Sequence, residues 1–187
     1  MRRHWFPKPY ADFVARLRVP GGFLLAAAFF WLSAPTPASL VSGLPVSALG
    51  LVLRAWAAGH LAKNEQLATG GPYAWVRNPL YLGTLVAAGG LSIAARSYAL
   101  ALLFAAVFLL VYLPAIELEE QYLRQLFPAF EEYAARVSLL RPRFPSTSST
   151  ARFQWRLYLR NQEYQALAGY LIAAAVLVWK ALAGVSL

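Results

Sequence analysis

The chain has 187 residues, of which 59% are hydrophobic and only 13% charged; a soluble domain carries about 25% charged residues, so the composition excludes a water-soluble fold and predicts an integral membrane protein. The net charge of +9 comes from Lys and Arg beside apolar runs, which points to anionic lipid as a partner and not to nucleic acid. With no cysteine and only His4 and His60, the sequence offers no disulfide framework, no thiol nucleophile and no His-based metal site.

Residues 1–18 are basic and aromatic (Arg2, Arg3, Trp5, Lys8, Tyr10, Arg16, Arg18) and are expected to lie on the cytoplasmic membrane surface, without a cleavable signal peptide. A first span is expected over Pro20–Ala34. Pro35–Pro45 is uncharged and rich in Pro, Ser and Thr, so it reads as an external turn. The second span, about Val46 to Leu61, carries Arg54. A charge inside a span costs a few kcal/mol and is normally paired or turned to a polar cavity; snorkelling to the nearby membrane surface is the plainer reading.

Gly70–Gly83 (GGPYAWVRNPLYLG) is the most distinctive stretch. Gly70 and Gly71 permit turn conformations, Pro72 fixes its own φ, and Asn78-Pro79 predicts a helix start with Asn as N-cap. The turn therefore carries Tyr73, Trp75, Arg77 and Tyr81 to a helix mouth, where Arg beside free N–H groups suits an anion. The plainer reading is a membrane-interface turn, its aromatics in the interfacial belt and Arg77 on lipid phosphate.

Pro79–Ala95 is the third span, Arg96-Ser97-Tyr98 a tight turn and Ala99–Ile116 the fourth span. Glu117, Glu119 and Glu120 follow, with Glu120 able to reach Arg124 at i+4. Acids beside an anionic membrane surface are repelled by it, so a cationic ligand would give them a partner. Arg152–Gln165 reads as a basic amphipathic segment with Arg152, Arg156 and Arg160 on one face, and Leu167–Gly184 as a fifth span. The loop charges place the N-terminus in the cytoplasm and the C-terminus outside, with little beyond Arg96 and Lys180 on the outer side. Four regions result: an interfacial segment 1–18, a membrane core 19–143, a linker with an interfacial helix 144–166, and a last helix 167–187.

GGPYAWVRNPLYLG resembles the G-x-Y-x-x-x-R-H-P-x-Y-x-G signature of the isoprenylcysteine carboxyl methyltransferase and phospholipid methyltransferase superfamily. Gly50–Leu67 is similar to the helix before that signature, and Glu117–Ser138 to its acidic pair followed by Tyr and Arg-Val. The likeness covers roughly residues 46–143. Asn78 stands where the family has His, Ser138 where it has Pro, and Phe130 where it has Tyr. Val111–Ile116 is uncharged where the isoprenylcysteine branch carries basic residues, which speaks against a carboxylate acceptor.

The resemblance implies an all-α membrane-embedded protein with no Rossmann domain and with S-adenosylmethionine as cofactor; together with the apolar runs and loop charges above, the expectation is a polytopic protein of about five spans with a cofactor pocket at the cytoplasmic interface. No metal is expected, because the sequence offers no ligand cluster. Tyr73, Arg77, Asn78, Pro79, Tyr81, Glu119 and Glu120 are then the expected cofactor residues. Arg77 and the helix start suit its carboxylate, the two acids its ammonium, and the aromatics its adenine or sulfonium. Arg54 and Trp75 are expected at the acceptor, and Arg54, Glu120 and Arg136 in catalysis. Two alternatives stay open: a nicotinamide-dependent enzyme resembling steroid reductases, and a non-catalytic lipid-binding protein.

Overall fold

The computed structural model of the chain describes residues 6, 7, 9, 10, 13, 14, 18–144 and 151–184. Arg2, Arg3, Trp5, Lys8 and Arg16 of the expected interfacial segment lie outside these residues, as does the 145–150 part of the linker. Among the described residues the fold is all helical, with no strand.

Helix α1 spans Arg18–Leu32, and a turn of four residues leads into α2, Pro37–Ala58. The expected turn over 35–45 is thus largely helix. Thr36 and Ser39 close a reciprocal capping box, and Pro37 occupies the first turn, where its missing N–H costs nothing. Ser, Thr and Pro therefore act here as helix-start signals. The result is a helix of 22 residues, about 33 Å long and enough to cross a bilayer.

Helix α3 covers Pro79–Ala95, as expected. It ends at Arg96 in the left-handed conformation, and Ser97 caps the next helix by accepting from the Leu100 N–H. That helix, α4, runs over Tyr98–Val107, passes through a π-helical turn at Phe108–Tyr112 and continues as α5, Leu113–Leu126. It overruns the expected end at Ile116 and lifts the acidic cluster on a rigid stalk. Pro114 accounts for the irregular turn: it cannot donate to the Leu110 carbonyl four residues back. The Tyr10 hydroxyl donates to that carbonyl instead, at 2.7 Å.

Helices α6 (Phe130–Arg136), α7 (Trp155–Arg160) and α8 (Tyr164–Ala183) complete the described chain. Helix α7 starts only at Trp155, so Arg152 lies in the preceding extended segment and does not share a helical face with Arg156 and Arg160. Three helical stretches, Pro37–Ala58, Tyr98–Leu126 and Tyr164–Ala183, are long and apolar enough to span a membrane; Gly21–Leu32 and Pro79–Ala95 are apolar but shorter.

The α2–α3 pair is the most extensive helix contact. Lipid tails give helices no hydrophobic reason to associate, so close packing and hydrogen bonds must do it. Gly50 and Gly83 let the backbones touch: a Cβ on Gly50 would lie 2.5 Å from the Gly83 carbonyl oxygen. Ser39 donates to the Ala94 carbonyl at 2.8 Å and Ser47 to that of Ala87 at 2.9 Å. Lys180, expected on the outer side, is 1% exposed. Its Nζ donates to the Phe30 and Ser33 carbonyls at 2.8 and 2.5 Å, satisfying the end of α1 and fastening α8 to it.

Candidate functional site

Gly71 shapes the turn that opens the site. It adopts φ +57°, and a Cβ there would strike the His60 ring at 2.6 Å, so both conformation and space require glycine. The short 3-10 turn Gly71–Ala74 then buries Tyr73. Helix α6 locks this turn from below: the Tyr133 hydroxyl donates to the Tyr73 carbonyl at 2.7 Å. The chain after α6 runs alongside, with the Arg77 and Asn78 N–H groups donating to the Ser138 and Leu139 carbonyls at 2.9 and 3.2 Å. Ser138, which departs from the family pattern, thus serves through its backbone. Burial pushes the Tyr73 and Tyr133 phenols well above their ordinary value, so both are protonated over the physiological range.

The acidic stalk of α5 meets the start of α3. Arg77 Nε lies 2.9 Å from Glu120 Oε1, and Arg77 Nη1 donates to the Ala134 carbonyl at 2.8 Å. Arg124 approaches the same carboxylate at 3.6 Å. Asn78 occupies the N-cap position of α3 but makes no side-chain cap; its amide donates to Glu120 at 3.4 Å. The expected capping role is therefore corrected: a carboxylate within reach competes better for the Asn amide than the helix end does for its carbonyl. Glu119 accepts from the Tyr81 hydroxyl at 3.1 Å and, among the described residues, has no cationic partner.

These residues line a cavity of about 780 Å³ at the polar end of the helices, within the range of cofactor sites. Arg54, Tyr73, Arg77, Asn78, Pro79, Tyr81, Glu119 and Glu120 all border it. Its lining cations, Arg54, Lys63 and Arg77, are matched by Glu119, Glu120 and Glu163. Among the described residues the buried Tyr73 hydroxyl has no hydrogen-bond partner, and Arg77 Nε has none aligned beyond its ion pair with Glu120. A second, apolar groove of about 300 Å³ lies against α2, α3 and α4. Arg54, Thr84 and Tyr112 border both spaces, so the polar cavity and the apolar groove meet at these three side chains.

Two expected site residues are not brought there. Trp75 is 36% exposed and packs on Phe144 at 5.3 Å, its carbonyl accepting from the Arg143 N–H. The 3-10 turn rotates it away from Tyr73. Arg136 ends α6, its side chain 60% exposed and 3.5 Å from Glu132. Conversely, Glu163 was not singled out from the sequence. Its carboxylate accepts from Arg54 Nε and Nη2 at 2.5 and 3.0 Å, while Arg54 Nη1 donates to Thr84 Oγ1. The signal was available: Arg54 needs a partner inside the membrane, and Glu163 is the only acid after Glu132.

The Arg77 turn, the α5 acids and the α2 arginine all lie on a segment that matches a known family model. Residues 46–129 match the model of the phospholipid methyltransferase family. Tyr133, Ala134 and Glu163, which complete the site, lie outside the methyltransferase-family segment. The chain is also similar to the cobalt-zinc-cadmium resistance protein CzcN of Cupriavidus metallidurans, 35% identical over 136 residues, 67% of this chain and 62% of that protein. To the nickel-cobalt-cadmium resistance protein NccN of Alcaligenes xylosoxydans xylosoxydans it is 36% identical over 115 residues, 60% of this chain and 53% of that protein. The chain thus spans between half and two thirds of the length of these relatives. No solved structure matches.

Proposed function

We propose that this chain is an integral membrane methyltransferase that binds S-adenosylmethionine in the polar cavity and methylates an acceptor held in the apolar groove. The observation that carries the reading is the junction at Arg54, Thr84 and Tyr112, where a charged cavity of cofactor size opens onto an apolar space. When bound, the cofactor supplies a methyl group on a cationic sulfur.

The residues present fit such a group. Glu119, without a cationic partner among the described residues, suits the ammonium; the Tyr73 hydroxyl, which has no partner among those residues, offers a donor to a carboxylate or ribose, and Arg77, held by Glu120, brings positive charge to the cavity wall. Tyr81 and Tyr112, edge to face at 5.9 Å, set aromatic surface beside the junction, where a cationic centre is favoured. Glu120 acts differently from expectation: engaged by Arg77, Arg124 and Asn78, it positions Arg77 and takes no ligand of its own. Orientation and water exclusion are what a displacement on carbon asks of a protein, and these residues provide both without a metal.

The loop charges support a cytoplasmic N-terminus and a cavity on the cytoplasmic side, with membrane lipid as surrounding partner. The test of function is a methylation assay on the purified protein with labelled cofactor and a membrane-lipid extract, the product read by mass spectrometry. Label in an apolar product is the expected result. Binding and oxidation of NADPH with no methyl transfer would establish the reductase reading instead.

A further inference from the structure

We propose that the acceptor site selects a single-chain amphiphile with an uncharged head group and discriminates against anionic ones. This deepens the proposed function and rests on it for the word acceptor. The groove is walled by Leu25, Leu51, Leu85, Leu91, Phe104 and Phe108. Its volume of about 300 Å³ holds roughly ten groups the size of a water molecule. That is on the order of ten chain carbons, room inside the groove for one chain and not two.

The polar end of the groove decides the head group. Arg54 is the cation there, and an arginine in an apolar setting would ordinarily recruit a carboxylate or phosphate in a two-pronged contact. In this chain the two-pronged contact is already made. Glu163 takes Nε and Nη2, and Thr84 takes Nη1. Glu163 is buried and enters from the start of α8, outside the family-matched segment 46–129. The junction is consequently neutral. A second anion there would face Glu163 in a poorly hydrated space, where like charges repel strongly. Thr84 Oγ1 is engaged by Arg54 and by the Leu80 carbonyl, so the neutral Tyr112 hydroxyl is the group at the junction that orients a head group.

The experiment reads binding, so it does not depend on catalysis. Protein in lipid nanodiscs is offered equimolar 1-decanol and decanoate at mildly alkaline pH, where the acid is ionised, and occupancy is read by native mass spectrometry. The wild type is expected to prefer decanol at least tenfold. Glu163→Gln keeps the shape but frees the guanidinium, and should shift the ratio towards decanoate by tenfold or more. Adding Arg54→Gln to it should abolish that shift. Circular dichroism and the thermal midpoint report whether each variant is folded.

Equal binding of both ligands by the wild type, or a ratio unmoved in folded Glu163→Gln, overturns the proposal. So does the absence of saturable binding of either ligand, which would make the groove a seat for bulk lipid. Selective decanol binding in a protein that takes no S-adenosylmethionine would leave this inference standing and remove the methyltransferase reading. Methyl transfer to a decanoate-like acceptor would do the reverse.

Discussion

Two tyrosines that meet at one turn, Tyr73 within it and Tyr133 on α6 beneath it, predict opposite outcomes for the same substitution. Tyr73 is 6% exposed and its hydroxyl, at the cavity wall, has no partner among the described residues. Tyr133 is 5% exposed and its hydroxyl donates to the Tyr73 carbonyl at 2.7 Å. Removing an unsatisfied buried hydroxyl relieves a desolvation cost; removing a satisfied one loses a bond and strands its acceptor, at about 1–3 kcal/mol. Tyr73→Phe should therefore leave the thermal midpoint unchanged or raise it by about 2–4 °C, the equivalent of roughly 1 kcal/mol. Tyr133→Phe should lower it by at least as much. For ligand binding the order reverses. If the Tyr73 hydroxyl meets the cofactor, its loss should weaken binding by about two- to tenfold, the worth of one neutral hydrogen bond. Differential scanning fluorimetry gives the first quantity, and calorimetry with S-adenosylhomocysteine the second. A Tyr73→Phe protein that is destabilised as much as Tyr133→Phe and binds the ligand unchanged would refute the reasoning, because the hydroxyl would then be structural.

Arg77→Ala should weaken S-adenosylhomocysteine binding by about ten- to a hundredfold, since it removes a charge-assisted contact worth roughly 1.5–3 kcal/mol, and Glu120→Gln, which acts only through Arg77, should weaken it by less in the same measurement. Arg136→Ala and Trp75→Ala, which change side chains away from the cavity, should stay within about threefold in the same calorimetric series. Gly50→Val should lower the thermal midpoint in detergent, because its side chain would meet the α3 backbone; overpacking of this kind costs about 1–3 kcal/mol. Cofactor binding should be unaffected by a chelator, and loss on chelation with recovery on adding zinc would sink the metal-free assignment.

Much of the fold was legible in the sequence because apolar runs and their punctuation are local properties. Pro79–Ala95 follows from the Asn78-Pro79 start and the Arg96-Ser97-Tyr98 turn from the charge that breaks the apolar run. The misread segment, 35–45, shows the limit: Thr, Ser and Pro mark both turns and helix starts, and only the reciprocal Thr36–Ser39 bonds separate the two. The site was legible as a set of residues but not as a set of pairs. Motif spacing offers Arg77 and Glu120 as separate groups, and it carries no sign that they pair with each other. Glu163 was invisible to motif reading because 109 residues of chain separate it from Arg54; only the demand of a charge inside the membrane pointed to it. Trp75 and Arg136 were overvalued for the opposite reason: adjacency to a motif says nothing of which way a turn faces.

If S-adenosylmethionine occupies the polar cavity, ultraviolet cross-linking of the labelled cofactor to the protein in nanodiscs, followed by peptide mapping, should place label on peptides carrying Lys63–Tyr81 and Ala115–Tyr133, competed away by S-adenosylhomocysteine. Label confined to α1 or α8, or no competable label at all, would contradict that occupancy.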